Sequence, residues 1–328
     1  MVEAVERAPV LAQGVTSGDR RALARAITLV ESERPEDAAL AAELLDLLLP
    51  HAGKSRRVGI TGPPGAGKST LIDALGARLA ARGERIAVLA IDPSSPVAGG
   101  SILGDKTRMA RLAALPQSFI RPSPSRGASG GVGRDTAETV MLCEAAGYSV
   151  VVVETLGTGQ GEHAVADLVD ALLLVLIPGA GDELQGMKRG AIELADVVVV
   201  NKADGALASA AEQAAAELRS ALALFARGEG TSPDVLVVSA REERGLDELW
   251  QALTAGIELA RANGAFERRR GAGLERSFAN AVERAWRTEF ASAEVGAERD
   301  RLKSEVLAGR LSARSAAERT VALLRGNP

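Results

Sequence analysis

The sequence predicts a doubly wound α/β fold with a mostly parallel sheet and helical extensions at both chain ends. Three observations carry that expectation. Short Val/Ile/Leu runs recur at 58–61, 86–91, 150–153, 171–177, 197–200 and 235–238, without the polar alternation of a half-exposed strand, as in parallel strands covered on both faces. Helix-compatible stretches at 68–82, 135–146 and 206–226 separate most of them, the strand–helix alternation of an open wound sheet. The sequence before residue 55 and after residue 264 is patterned as helix without strands.

The elements follow in chain order. Leu23, Ile27 and Val30 repeat at helical spacing, and Leu40, Leu44, Leu47 and Leu48 form a second stripe behind Pro35, a residue suited to a first helical turn. Residues 1–54 are therefore expected to be a helical extension, 55–264 the α/β domain and 265–328 a second helical region. In that last region Leu274, Phe278, Val282, Trp286 and Phe290 recur every four residues. A further helix is expected over 300–311, and Ser315-Ala-Ala-Glu318 resembles a capping box opening another. The run Arg268-Arg269-Arg270 reads as a solvated linker.

Composition narrows the function classes. The chain has 328 residues and a formal net charge of -4, with a pI near 5.5, which argues against a broad surface for nucleic acid or anionic lipid. One cysteine and two histidines supply neither an internal disulfide nor a soft-metal site. Cys143, within Val140-Met141-Leu142-Cys143, reads as a small buried apolar residue. The N-terminal residues lack the basic-then-apolar pattern of a secretory leader, and the apolar runs are too short for a bilayer. No membrane is expected, and the expected compartment is the cytoplasm.

The chemistry is concentrated where the strands end. Gly62-Pro63-Pro64-Gly65-Ala66-Gly67-Lys68-Ser69, followed by Thr70, satisfies the phosphate-loop pattern and stands between a strand and a helix, the context that gives the pattern meaning. Its backbone N–H groups and the following helix N-terminus favour a phosphate. Lys68 is placed to bridge β- and γ-phosphates and Ser69 to ligate Mg²⁺. Asn201-Lys202-Ala203-Asp204 follows the run at 197–200. A carboxylate at Asp204 accepts from N1–H and the 2-amino group of guanine, donors that adenine lacks, and such a site can discriminate by roughly 10⁴. Asn201 is read as support, the Lys202 stem as cover for the ring, and Ser239-Ala240-Arg241 as the loop meeting guanine O6. GTP, GDP and Mg²⁺ are thus the expected ligands.

Three acidic residues are candidates for metal or water positioning. Asp92 follows the run at 86–91, Glu154 ends the run at 150–153, and Asp105 lies in the segment Gly99-Gly-Ser-Ile-Leu-Gly-Asp-Lys106. Spacing alone favours Asp92 and Glu154, since acidic loop residues such as Asp105 are usually just solvated. Glu154-Thr155-Leu156-Gly157 is similar to the Asp-x-x-Gly of many GTPases, with Gly157 offering its N–H to the γ-phosphate. Contacts made only with the triphosphate are what turn such a loop into a switch. Gln160 is either a water-orienting residue or a surface one. A further glycine-rich loop spans 178–188.

These residues together resemble the MeaB/MMAA/ArgK family, G-protein chaperones of adenosylcobalamin-dependent acyl-CoA mutases. The resemblance rests on residues 22–31, the phosphate loop, Asp92-Pro-Ser-Ser through Met109, Phe119-Ile-Arg-Pro-Ser-Pro124, residues 179–188 and 201–204, and covers nearly the whole chain. It implies a P-loop NTPase of the SIMIBI type, a homodimer built through a C-terminal helical arm, and switch loops near 92–108, 154–166 and 178–188. It also implies hydrolysis accelerated by the mutase, with Asp182, Gln185 and Lys188 coupling partner to nucleotide. Where family members commonly read Glu-Thr-Val-Gly-Val-Gly-Gln-Ser-Glu, this chain has Leu156, Thr158 and Gly161, which leaves the client mutase open. Methylmalonyl-CoA mutase is the default client, with 2-hydroxyisobutyryl-CoA and ethylmalonyl-CoA mutases as alternatives. Two rival readings belong to other classes. A small-molecule kinase would need an acceptor pocket, for which Arg108, Arg111, Arg121, Arg126 and Arg134 are candidates. A metal-delivery GTPase would need His/Cys clusters, which His51, His163 and Cys143 do not supply.

Overall fold

The computed structural model describes residues 7–92, 108–124, 135–155, 162–179, 189–225, 232–290 and 293–324. Seven strands carry the architecture: β1 (Arg56–Thr61), β2 (Ile86–Asp92), β3 (Ser118–Pro124), β4 (Val150–Glu154), β5 (Ala171–Leu176), β6 (Val197–Val200) and β7 (Asp234–Val237). They form one sheet in the order β3-β2-β4-β1-β5-β6-β7, and every pairing is parallel. The helices are α1 (Ala8–Thr16), α2 (Arg20–Val30), α3 (Pro35–Leu48), α4 (Lys68–Ala81), α5 (Ala110–Ala113), α6 (Thr136–Ala145), α7 (Glu162–Ala166), α8 (Arg189–Leu194), α9 (Ala208–Phe225), α10 (Leu246–Ala262), α11 (Ala265–Phe290), α12 (Ala293–Leu307) and α13 (Ala313–Leu324).

Strand alternation sends neighbouring side chains into different cores. Val58, Ile60, Val88 and Val152 join Leu71, Leu75, Trp250 and Leu253 of α4 and α10. Ala87, Leu89, Val151 and Val153 instead join Val140 and Cys143 of α6 and Leu11, Leu23, Ile27 and Leu44 of α1–α3. Toward β5–β7, Leu174, Leu176, Val198 and Val200 pack with Ala211, Ala215 and Leu218 of α9. Burial on both faces is why the strands read as unbroken apolar runs. The N-terminal helices are a structural layer over the sheet, and Asp19 caps α2 by accepting from Arg21 N at 2.8 Å. Cys143 is fully buried, and that burial pushes its thiol pKa up.

β3 is the strand that the hydrophobic pattern did not reveal. It contains Pro122 and Pro124 and sits at the sheet edge beside β2 alone, where a missing N–H breaks no inner ladder. A second departure concerns the run Arg268-Arg269-Arg270, expected to be a solvated linker. Arg270 is largely buried and pairs with Asp170 at 2.8 Å, while Arg269 pairs with Asp196 at 3.0 Å. Arg270 also donates to the carbonyls of Gly53 at 2.6 Å and Ser55 at 2.8 Å. The basic run anchors the first turns of α11 on the N-terminal strand ends because partners remote in sequence converge there.

The chain divides into two compact units, Met1–Gly273 and Leu274–Pro328. In the second, Val295, Leu302, Ala316 and Thr320 are buried where α12 and α13 pack together. The N-cap of α13 lies three residues earlier than expected. Ser312 accepts from Ser315 N at 3.1 Å and donates to Ser315 Oγ at 2.9 Å, so Ser315 is the N3 partner rather than the cap. The stripe on α11 faces outward, with Leu274 69% and Phe278 72% exposed and Trp286 51%.

Candidate functional site

β1 lies between β4 and β5, and the connections from β1 to β2 and from β4 to β5 run to opposite sides of it. Such a switch point opens a crevice beyond the C-terminal strand ends. The phosphate loop fills that position. Gly62 has φ 143° and Gly67 has φ 86°, values that side chains beyond glycine rarely adopt. A Cβ at Gly62 would meet the Val175 carbonyl oxygen at 2.1 Å, and one at Gly67 would meet Asn201 Nδ2 at 2.6 Å. The loop therefore lies directly on β5 and on the β6 exit, leaving no room for side chains at these two positions.

Lys68 opens α4 and is buried. Its Nζ donates to the carbonyl of Gly62 at 2.7 Å and that of Pro63 at 3.1 Å, which curls the ammonium back over the loop. Burial lowers its pKa, and the charges of Glu154 and Glu162 only partly offset that. An anion beside Lys68 would restore the balance. Ser69 Oγ donates to Glu154 Oε1 at 2.8 Å, so two residues singled out from distant parts of the sequence meet at the head of α4. Register explains the meeting: Glu154 is level with Ile60 of β1 and Ala90 of β2. Asp92 ends β2 two residues further along that edge; its side chain lies outside the described residues. Thr70 is exposed in the first turn of α4.

The second half of the site is held by Asn201, which is 1% exposed. Its Nδ2 donates to the Ala66 carbonyl at 2.9 Å, and its Oδ1 accepts from Ala240 N at 3.1 Å. One amide thus joins the phosphate loop to the Ser239-Ala240-Arg241 loop. Asp204 Oδ2 accepts from Ser239 Oγ at 2.6 Å, while Ser239 Oγ accepts from Glu242 N at 3.0 Å. A carboxylate can only accept, so the single hydroxyl proton is directed to Asp204, while a lone pair of the same oxygen takes the Glu242 N–H. Lys202 adopts φ 61°, a costly conformation for a side chain of its kind that persists where the surroundings impose it. Arg241 is exposed at the loop tip.

Comparison with known proteins agrees with this geometry. The sequence profile of the family described as methylmalonyl Co-A mutase-associated GTPase MeaB matches residues 23–294. The chain belongs to this family. A relative from Mycobacterium tuberculosis (strain ATCC 25618 / H37Rv), named "Probable GTPase", is 55% identical over 261 residues, 79% of this chain and 78% of that protein. GTPase ArgK of Escherichia coli (strain K12) is 50% identical over 237 residues, 72% of each chain. The mitochondrial methylmalonic aciduria type A homolog of Mus musculus is 49% identical over 251 residues, 73% of this chain and 60% of that protein. Among solved structures, one titled LAO/AO transport system kinase superposes with a TM-score of 0.72 at 34% identity, covering 99% of this chain and 100% of that one. This member of the MeaB family is a P-loop GTPase.

Several residues named from the sequence of this MeaB-family chain lie outside the described residues: Asp105, Gly157, Gln160, Asp182, Gln185 and Lys188. Of the five arginines considered for a kinase acceptor pocket, Arg111 pairs with Glu243 at 2.5 Å and Arg121 with Glu31 at 2.5 Å; Arg126 and Arg134 lie outside the described residues. Sequence reading missed Arg244. Its Nη2 donates to the Ala203 carbonyl at 2.6 Å, and its backbone exchanges two 3.1 Å hydrogen bonds with Ser239, so it clasps the loop after β6 to the loop after β7. No motif marks such a residue; its position five after Ser239, beside Gly245 with φ 75°, is the available signal. Among the described residues no helix is long and apolar enough to cross a membrane.

Proposed function

We propose that this GTPase works with Mg²⁺ as a cytoplasmic, homodimeric chaperone of an adenosylcobalamin-dependent acyl-CoA mutase, gating cofactor loading and protecting or reactivating the enzyme. The observation that carries the nucleotide chemistry is the meeting of Ser69 and Glu154 at 2.8 Å beside the buried Lys68. A hydroxyl and a carboxylate are hard oxygen donors of the kind Mg²⁺ prefers. Ser69 and Glu154 would hold the ion, with Asp92 and Asp105 as further candidates, and the bound ion would neutralise charge on the β- and γ-phosphates.

The remaining chemistry belongs to the chain. Lys68 turns from the carbonyls of Gly62 and Pro63 to the phosphates, a stronger partner for a desolvated ammonium. Glu154 and Gln160 orient the water whose oxygen bonds to the γ-phosphorus as the bridge to GDP breaks. Gly157 senses the γ-phosphate through its N–H. Asp204 selects guanine, held by Ser239 and flanked by Lys202, while the backbone of Ala240 and Arg241 faces O6.

The partner reading is supported by the names of the family and of the mouse relative. Within it, Asp182, Gln185 and Lys188 transmit mutase binding to the phosphate site. The outward stripe of Leu274, Phe278, Val282 and Trp286 supports a second copy of the chain as its cover, since contiguous exposed apolar faces mark interaction sites. The test is GTP hydrolysis by the pure protein with and without a methylmalonyl-CoA mutase. Several-fold stimulation is expected. Hydrolysis unmoved by that mutase or by its 2-hydroxyisobutyryl- and ethylmalonyl-CoA counterparts would overturn the partner reading and leave the GTPase.

A further inference from the structure

Two buried hydroxyls meet at the root of the catalytic edge. Thr61 is the last residue of β1, immediately before the phosphate loop, and Thr155 directly follows Glu154 at the end of β4. Thr61 is 0% and Thr155 7% exposed. Thr155 Oγ1 donates to Thr61 Oγ1 at 2.9 Å, and Thr155 N donates to the Ile60 carbonyl at 2.9 Å. The backbone bond carries the β1–β4 ladder one residue past the Ile60–Glu154 pair. Side chains alternate along a strand, so Glu154 turns toward Ser69 while Thr155 turns toward Thr61. The carboxylate is thereby stitched to the phosphate loop from both sides.

We propose that the Thr61–Thr155 hydroxyl pair is a positioning device for GTP hydrolysis, fixing the Glu154 carboxylate against the phosphate loop and Ser69. This rests on the reading of Glu154 as the metal- and water-positioning carboxylate. The two strands are already joined by backbone ladder bonds, and the β4 residues that share the face of Thr155, Val151 and Val153, lie in an apolar core. For stability alone, a pair of valines of the same shape would serve. What valines would not supply is the directional link between Thr61 and Thr155. A displacement of Glu154 by a fraction of an ångström weakens orientation in the transition state while leaving nucleotide binding, which rests on Asn201, Asp204 and the loop N–H groups, intact.

The design of the test follows from hydrogen-bond energetics. Removing one hydroxyl strands its buried partner, whereas replacing both by apolar groups of the same shape can be nearly neutral for stability. Thr61→Val, Thr155→Val and the double variant are compared in the full chain for melting temperature, GDP affinity and GTP turnover. Each single variant is expected to melt lower, and the double variant to recover most of that loss. Turnover of the double variant is expected to stay about five-fold below the parent, the effect of one lost hydrogen bond, with GDP affinity within two-fold. Thr155→Ser, which keeps the hydroxyl, should restore turnover. A double variant that melts like the parent and hydrolyses GTP at the parent rate would overturn the proposal, leaving the pair a packing feature. Glu154→Gln separates the two claims: unchanged turnover there would remove the assignment on which the pair's role rests.

Discussion

The two ends of one sheet solve opposite problems. At the C-terminal ends of β1, β4 and β6 the chain keeps polar groups ready for something else: Lys68 donates to loop carbonyls, Lys202 holds φ 61°, and glycines stand where any Cβ would collide. At the N-terminal ends the buried carboxylates Glu144 and Asp170 are matched within the protein. Glu144, whose side chain is 0% exposed, accepts from Arg57 Nε and Nη2 at 2.8 Å, from Ser55 Oγ at 2.6 Å and from Gly53 N at 2.8 Å. Asp170 accepts from Arg57 N and from Arg270, each at 2.8 Å. A buried pair with all its hydrogen bonds made resists change because losing either member strands the other. The difference teaches where function can sit: on the edge whose hydrogen bonds can be exchanged for those of a ligand.

Substitutions at the two ends should therefore separate activity from stability. The largest effect is expected at the base site. Asp204→Asn should exchange GTP for xanthine-nucleotide preference by roughly 10⁴ with little change in melting temperature; competition binding of the two nucleotides measures it, and retained GTP preference would remove Asp204 from that role. At the opposite end, Glu144→Ala should cost about 3–5 kcal/mol, because it leaves Arg57 buried without its main partner, while nucleotide affinity in the surviving folded fraction stays unchanged. Denaturant titration and GDP binding on the same sample check both halves. Lys68→Ala should reduce turnover by about 10²–10³-fold. The nucleotide-free variant should be as stable as the parent or more so, since a desolvated ammonium is removed. A large loss of stability would instead give Lys68 a structural role.

The smallest and most diagnostic effect is in acid. Burial by itself raises the Glu144 pKa, but hydrogen bonds from Arg57, Ser55 and Gly53 and the Arg57 charge outweigh it, and the group lies below its ordinary value of 4.5. A carboxyl depressed on folding stabilises the protein above the unfolded value, and the contribution disappears as pH falls through the folded one. Unfolding free energy should therefore fall below about pH 4.5, with part of the slope absent in Glu144→Gln. A slope identical in that variant would place the acid sensitivity elsewhere.

Much of this contrast is legible in the sequence. Periodicity placed six of the seven strands, since parallel strands under two helical layers need apolar side chains on both faces. The phosphate loop, Asn201 and Asp204 were legible because their chemistry fixes residue type and local spacing together. β3 escaped, because an edge strand pairs on one side only and tolerates Pro122 and Pro124. Arg269 and Arg270 were misread for a related reason: adjacent arginines look solvated unless the carboxylates that meet them, Asp196 and Asp170, are known to be near. The cap of α13 is three residues earlier than the pattern suggests, since a capping pattern in sequence does not say which of two serines takes the N–H of the first turn.

The sequence by itself determined the composition of each strand end: glycines where a phosphate approaches, a lysine and serine behind them, an asparagine and an aspartate after a buried strand. Only the tertiary structure decided what those residues do for one another. Ser69 meets Glu154, Asn201 joins Ala66 to Ala240, Arg244 clasps Ala203, and Thr61 meets Thr155. The physical reason is that local pattern reports the backbone a residue favours, whereas a hydrogen bond between remote side chains depends on sheet order and register. Those are set by how the whole chain buries its apolar surface.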